Sequence, residues 1–359
     1  MKLLAAAIAL MLPGMAHAAD GARADAAIAA AGFQGVALIG QGDRITYERA
    51  AGDVRPGEPH QVDSLWRLAS VTKQLAALIV MQEVAAGTID LESPVRTWWP
   101  EWPARDADKI TVRMLLRHES GLPDPGDTGA DGDEVPAFYI RKGAEADPLR
   151  AASAFCAGAP RGMAPMDFHY NNCDYMVLGA LLQKVTGKPF ADLLAERIAM
   201  PLGLSSLGLF PFDAPAPANV PGMNGKGIAD PAINLGTYGA AGSAYIRPRE
   251  LWAVDRALME NRLLDRIQTS AMWTGEPGLG FAALGAWSYS VPLKGCPDPV
   301  ALIERRGAID GVQVRNFLAP ERRVAVILFT NRGDFDYGEV AGQSGFAHAM
   351  LAAALCPEP

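Results

Sequence analysis

The sequence predicts an α+β protein: one antiparallel sheet built from both chain ends and flanked by helices, with a mostly helical region inserted between them. Three observations carry this. A hairpin pattern stands near the start, four strand patterns crowd near the end, and the helical apolar periodicities lie in the middle. The chain has 359 residues, 50% of them hydrophobic and 20% charged, a balance that supports a large core.

The elements follow in order. Val36–Gly40 and Ile45–Arg49 are apolar or β-branched runs joined by Gln41-Gly42-Asp43-Arg44, the signature of a hairpin. Ser70 then opens a long apolar helical stretch, Leu75 to Ala86, ended by Gly87. Thr111–Arg117 reads as a short helix stopped by Gly121-Leu122-Pro123, and 121–136 as loop. Tyr175–Thr186 is a helix ended by Gly187, and Ala191–Met200 another, stopped by Pro201. Residues 211–236 are largely loop, and Pro248 opens a helix to about Asn261. Trp287–Val291, Val300–Arg305, Val312–Phe317 and Val324–Thr330 then form a meander, closed by a helix over Val340–Leu355. The sheet portion thus draws on about 30–75 and 240–359, the helical portion on about 76–239, within one domain over 19–359. A cleft between the two portions is a favoured place for a small-molecule site.

The net charge is −8 and no basic patch of consequence appears, which argues against nucleic acid as a partner. The start has a different meaning. Lys2, an apolar run from Leu3 to Leu12 and Ala16-His17-Ala18 make a signal peptide over 1–18, cleaved after Ala18. The run is too short to span a bilayer, and no lipid-accepting cysteine follows it, so no stable membrane anchor is expected. The protein is expected to be exported, periplasmic or secreted. Four cysteines in an oxidising compartment invite pairing, with three connectivities open. The layout in two portions favours Cys156 with Cys173 and Cys296 with Cys356. The histidines are scattered, with no H-x-x-x-H and no C-x-x-C, so neither metal nor cofactor is expected.

Ser70 and Lys73 lie three apart on a helix and share one face. Taken alone, the pair reads either as a helix-capping serine beside a solvated lysine or as a hydroxyl beside its base. A lysine serves as base only where its surroundings hold it partly neutral. Tyr170 and Asn172 stand two apart just before a helix, where a phenol can relay protons and an amide can bind a substrate carbonyl or hold the lysine. On the strand ending Glu304-Arg305-Arg306-Gly307-Ala308, Arg305 and Gly307 face one way and Arg306 the other. A glycine there lets a substrate lie along the strand, and the backbone N–H groups of Ser70 and Ala308 could form an oxyanion hole.

In this order, Ser70-x-x-Lys73, Tyr170-x-Asn172 and the Gly307 strand resemble the serine β-lactamase and penicillin-binding-protein superfamily. The likeness is to its class C β-lactamase, D-alanyl-D-alanine carboxypeptidase and esterase branch. It extends through Trp66–Gln74, Ile110–Pro123, Tyr170–Phe190 and Gly239–Ser243, from about Phe33 to about Asn331. The resemblance implies a β-lactamase/transpeptidase-like fold and a serine hydrolase cleaving an amide, ester or β-lactam bond. It implies Ser70 as the acylated nucleophile, with Lys73 and Tyr170 sharing the acid and base work. Asn172 would position the substrate amide and Lys73, and the Ala308 and Ser70 N–H groups would hold the oxyanion.

One position departs from the family: Arg305 stands where lysine or histidine is usual. Arginine stays protonated and can bind a carboxylate through two parallel hydrogen bonds. Arg305 is therefore expected to recognise an acidic group on a small-molecule or peptide substrate; the alternative is that it turns away and the substrate is neutral, as in an esterase. A G-x-S-x-G elbow is absent, which disfavours an α/β-hydrolase. The alternative in another class is a catalytically silent module that binds peptide or a partner, but Ser70, Lys73 and Tyr170 are all retained.

Overall fold

The computed structural model describes residues 20–131, 135–224, 227–229 and 232–358; the expected leader lies outside them. Helix α1 (Gly21–Ala31) is capped by Asp20, whose carboxylate accepts from the Ala22 and Arg23 N–H groups. The hairpin strands β1 (Gly35–Gln41) and β2 (Arg44–Ala51) follow as expected. The C-terminal meander supplies β3 (Trp287–Val291), β4 (Val300–Ile309), β5 (Val312–Ala319) and β6 (Val324–Thr330). They form one antiparallel six-stranded sheet in the order β3-β4-β5-β6-β1-β2. The chain ends meet at the β1–β6 pair, with Gly35 opposite Thr330. Every residue of β6 is buried, because both faces of this central strand are covered.

Helix α2 (Thr72–Ala85) runs through the centre, apolar on nearly all sides as a fully enclosed helix must be. Around it stand α3 (Val112–Arg117), α4 (Cys173–Thr186) and α5 (Pro248–Met259), while α6 (Gly345–Leu355) packs with α1 on the opposite face of the sheet. Cys156–Cys173 and Cys296–Cys356 are both disulfide-bonded, as the layout favoured. Among the described residues no helix is long and apolar enough to cross a membrane.

Several local features differ from the sequence reading. The helix expected to stop at Pro201 continues to Leu202 through a π-turn over Ala195–Ala199. There the Met200 N–H reaches back to the Ala195 carbonyl, and the wider turn accommodates the proline. The last helix begins at Gly345 rather than Val340, because Gln343 takes left-handed backbone (φ 57°) that a helix interior does not accommodate. Helix α3 ends at Arg117 as expected, but the left-handed residue that caps it is His118 (φ 63°) rather than Gly121. The 121–136 loop contains a short ladder pairing Ala130–Asp131 with Val135–Pro136.

Candidate active site

The nucleophile turn is built by an uncommon backbone. Ala69, a buried non-glycine residue, sits at φ 47°, and a 3-10 turn over Ala69–Val71 feeds into α2. Positive φ at alanine carries strain that the surrounding packing must hold, and such positions cluster at functional sites. The turn leaves Ser70 partly exposed while its neighbours on both sides are buried.

Strand β4 abuts this turn. A Cβ on Gly307 would lie 2.5 Å from the Leu68 carbonyl oxygen and 3.2 Å from the Ser70 nitrogen. The glycine therefore sets how closely the strand approaches the nucleophile's backbone, rather than simply clearing a path for a ligand. Among the described residues, β3 ends its pairing at Trp287–Glu304, so no strand borders the outer edge of residues 305–309. Ala308 is exposed there.

The side chains converge. Ser70 Oγ lies 2.5 Å from Tyr170 Oη and 3.2 Å from Lys73 Nζ. Lys73 Nζ also donates to Asn172 Oδ1 and to the Ala241 carbonyl, each at 2.7 Å. Asn172 Nδ2 donates to Tyr139 Oη at 2.8 Å, so both ends of this amide are engaged and it holds the lysine. The Tyr139 ring stacks at 4.0 Å on Tyr238.

These contacts settle which way Lys73 can lose a proton. Two of its three partners are carbonyl oxygens, which only accept. A neutral amine can still donate to both, and its lone pair then faces Ser70. Burial, opposed by the nearby Tyr170 oxygen and aided by the Arg305 charge, holds its pKa down at about 8. Burial alone would raise the Tyr170 phenol. The Lys73 and Arg305 charges and the hydrogen bonds at its oxygen outweigh that and hold it below the usual tyrosine value.

Arg305 is only 2% exposed. Its Nε donates to the Ser70 carbonyl at 2.8 Å and its Nη2 to Tyr170 Oη at 3.1 Å. Its guanidinium carbon stands 5.1 Å from the Trp287 ring centre. As expected, Arg305 and Gly307 face the nucleophile and Arg306 turns away, pairing with Glu304. The Nε–Nη2 edge, one of the two edges a guanidinium can offer a carboxylate, is occupied inside the protein, so the expected clamp could not use that edge.

All seven residues singled out in the sequence thus lie on or beside one centre. Four others there escaped the sequence reading. Tyr139 and the Ala241 carbonyl arrive from 3-10 turns, over Ala137–Ile140 and Leu235–Ala241, whose path no local pattern gives. His118 and Asp174 form a buried pair behind Tyr170, with Nδ1 2.9 Å from Oδ2. The available signal was an acidic residue, Asp174, in the first turn of the helix that follows Tyr170. Among the described residues, no group of three His, Cys, Asp or Glu side chains could hold a metal ion.

Fold and site together define a serine hydrolase. The sequence is 35% identical over 189 residues to Esterase EstB of Burkholderia gladioli, covering 48% of this chain and 46% of the esterase. It is 25% identical over 321 residues to the D-alanyl-D-alanine-carboxypeptidase/endopeptidase AmpH of Escherichia coli, covering 84% and 80%. A D-stereospecific amidohydrolase from Streptomyces sp. superposes with a TM-score of 0.75 at 24% identity, covering 94% of this chain and 99% of that one. That last likeness speaks to fold alone. The Beta-lactamase family matches residues 21–348. The chain belongs to this family.

Proposed function

We propose that the protein cleaves an amide, ester or β-lactam bond through an acyl-enzyme on Ser70. The observation that carries the reading is the position of Ser70 Oγ between Tyr170 Oη and Lys73 Nζ, with the other two Lys73 contacts both carbonyls. Ser70 Oγ attacks the substrate carbonyl carbon while its proton passes to the Tyr170–Lys73 pair. The carbonyl electron pair moves onto oxygen, where the Ser70 and Ala308 N–H groups receive it. Collapse expels the amine or alcohol, which takes the proton back, and leaves an ester on Ser70. Water then repeats the sequence and frees the serine.

Arg305 acts within this centre as a fixed cation on the Tyr170 oxygen, favouring the phenolate. Asn172 holds Lys73. The substrate is a small molecule or peptide lying along the open edge of β4, where a strand-like ligand can add to the sheet. Partly exposed Phe168 and Trp287, with ring centres 6.2 Å apart, offer an apolar flank to that edge. D-configured amides, D-alanyl-D-alanine peptides and esters are the substrates to try, since proteins with those names are similar to this chain. The two disulfides support an exported location, and the sheet drawn from both chain ends supports a single catalytic domain.

The test is a hydrolysis panel of nitrocefin, a D-alanyl-D-alanine peptide, a D-amino-acid amide and a p-nitrophenyl ester, with Ser70→Ala as blank. Turnover of at least one by the native chain alone, with an acyl adduct on Ser70 by mass spectrometry, is the expected result. No adduct with any of them would favour the silent binding module.

A further inference from the structure

Behind Tyr170, on the side away from Ser70, lies a buried polar cluster that the reaction above does not use. His118 Nδ1 meets Asp174 Oδ2 at 2.9 Å. The same oxygen accepts from Asn171 Nδ2 at 2.8 Å, and Oδ1 accepts from the Ser120 hydroxyl. The Asp174 N–H returns a bond to Asn171 Oδ1. His118 is 2% exposed and Asp174 fully buried.

This cluster joins two stretches of chain. Ser120 and His118 lie just past α3, while Asn171 and Asp174 flank the start of α4. Main-chain bonds lace the same stretches: His169 N–H to the His118 carbonyl at 2.8 Å, and Met166 N–H to the Glu119 carbonyl at 2.9 Å. Tyr170 is the residue between these anchors. Its ring centre is 4.5 Å from the His118 imidazole, which also touches Phe168 at 5.7 Å and Tyr175 at 5.3 Å. On its other sides the phenol ring sees Lys73 Nζ at 4.8 Å and the Arg305 guanidinium at 5.5 Å. The imidazole is thus the uncharged wall of the Tyr170 site.

We propose that His118, clamped by Asp174, is a positioning residue for Tyr170: its ring fixes the phenol at bonding distance from Ser70. The proposal rests on the acyl-transfer reading above. Two physical arguments support it. A buried imidazole–carboxylate pair costs more to desolvate than two apolar side chains of the same volume, so packing alone does not call for it. The cluster fixes the ring in one rotamer, and proton transfer over 2.5 Å tolerates little displacement of the phenol. His118 also has to be neutral to do this. Its Nε2 has no hydrogen-bond partner among the described residues. Burial and the Arg305 and Lys73 charges push its pKa well below the usual histidine value.

The test compares His118→Phe, His118→Asn and Asp174→Asn in the full chain. Each is titrated with a p-nitrophenyl ester, so that the acylation rate is read per Ser70 labelled, with melting temperature measured separately. His118→Phe is expected to slow acylation per labelled site ~10–100-fold with the ester's binding constant within ~3-fold. His118→Asn, whose amide can replace Nδ1 against Asp174, is expected to recover part of that rate. Asp174→Asn keeps the shape and lowers the rate by unclamping the ring, which tests the idea even if His118→Phe fails to fold. Unchanged rates per site in the folded variants, with only fewer sites or a lower melting temperature, would show a merely structural cluster and overturn the inference. An unlabelled native chain would overturn the acyl-transfer reading and this inference with it; a labelled native chain with unchanged variant rates overturns this inference alone.

Discussion

Arg305 donates to the Tyr170 phenol at 3.1 Å while its Nε braces the Ser70 carbonyl at 2.8 Å, so one buried cation touches both the nucleophile's backbone and its proton acceptor. Removing it takes away a charge that lowers the Tyr170 pKa and also lowers that of Lys73. Both bases then need a higher pH to lose their protons. Arg305→Ala is expected to move the acid limb of kcat/KM to higher pH and to cut the rate at neutral pH by ~10–100-fold. Arg305→Lys keeps the charge and loses the second hydrogen bond, so its effect is smaller. The same pair of variants checks the carboxylate idea: losses equal for charged and neutral substrates support the Tyr170 role, and a loss confined to carboxylate-bearing substrates sinks it.

The lysine gives a second pH signature. With the Lys73 pKa held at about 8, the neutral amine grows in as pH rises through that value, and acylation is expected to rise with it. Lys73 and Tyr170 share a proton, so the limb belongs to the pair rather than to either residue. Stability follows the same linkage. Between about 8 and the ordinary 10.5 the folded state binds fewer protons than the unfolded chain, so stability rises with pH across that window. Lys73→Met removes the cost of burying the charged form. It is expected to be more stable at pH 7 by on the order of 1–3 kcal/mol, and to lose acylation ~10³-fold or more. Urea unfolding at several pH values measures the first and ester kinetics the second.

The strands and the site residues were legible for different reasons. In β1 and in β3 to β6, apolar and β-branched runs between turn residues give each strand directly. The alternation along β4 then places Arg305 and Gly307 on the nucleophile's side. What alternation does not carry is the partner each side chain finds after folding. Arg305 was free to be a ligand clamp until the Ser70 carbonyl and Tyr170 took its donors. Gly307 had an open strand edge as its reason until the Leu68 carbonyl stood in the way. The left-handed Ala69 has no sequence mark at all, because alanine is a strong helix former and only tertiary packing holds it there. The π-turn ahead of Pro201 is missed for a related reason: proline normally ends a helix, and the exception needs a local widening.

A buried carboxyl away from the chemistry makes a third prediction. Asp255 on α5 accepts from Gln74 and Asn316, each at 3.1 Å, and burial lifts its pKa to about 7. Its folded pKa lies above the ordinary 3.8, so the folded state binds more protons between those values. Stability is therefore full below about pH 4 as far as this group is concerned, falls as pH rises, and is flat above about 7. Asp255→Asn is expected to flatten that slope and to gain a few kcal/mol at pH 8. A variant whose unfolding free energy keeps the native pH slope from 4 to 7 would refute the assignment.

Gly307→Ala tests the close approach of β4 to the nucleophile turn. The added methyl would sit 2.5 Å from the Leu68 carbonyl, against backbone rather than a movable side chain. The strand must back away, at ~1–3 kcal/mol of stability. The Ala308 N–H moves with it, so kcat is expected to fall ~10-fold or more while Ser70 can still be labelled slowly. A loss of stability with unchanged kcat would show that the oxyanion donors do not depend on this strand.

The two disulfides should separate stability from activity. Cys173 is the first residue of α4 and follows Asn172, so the Cys156–Cys173 bond anchors the end of the loop that carries Tyr170. Its sequence separation is 17 residues, for which chain entropy gives ~3 kcal/mol. Cys296–Cys356 closes a separation of 60 residues and ties the β3–β4 connection to the end of α6, on the face of the sheet away from Ser70. Its loop term is larger, at ~4 kcal/mol. Replacing both cysteines of the second bond by alanine is expected to lower the melting temperature more while leaving kcat within ~2-fold. Replacing both of the first is expected to cost less stability and more kcat, because the Asn172 hold on Lys73 and the placement of Tyr170 loosen together. Equal kcat in the two double variants, at a temperature where both are folded, would break the link between that disulfide and the catalytic loop.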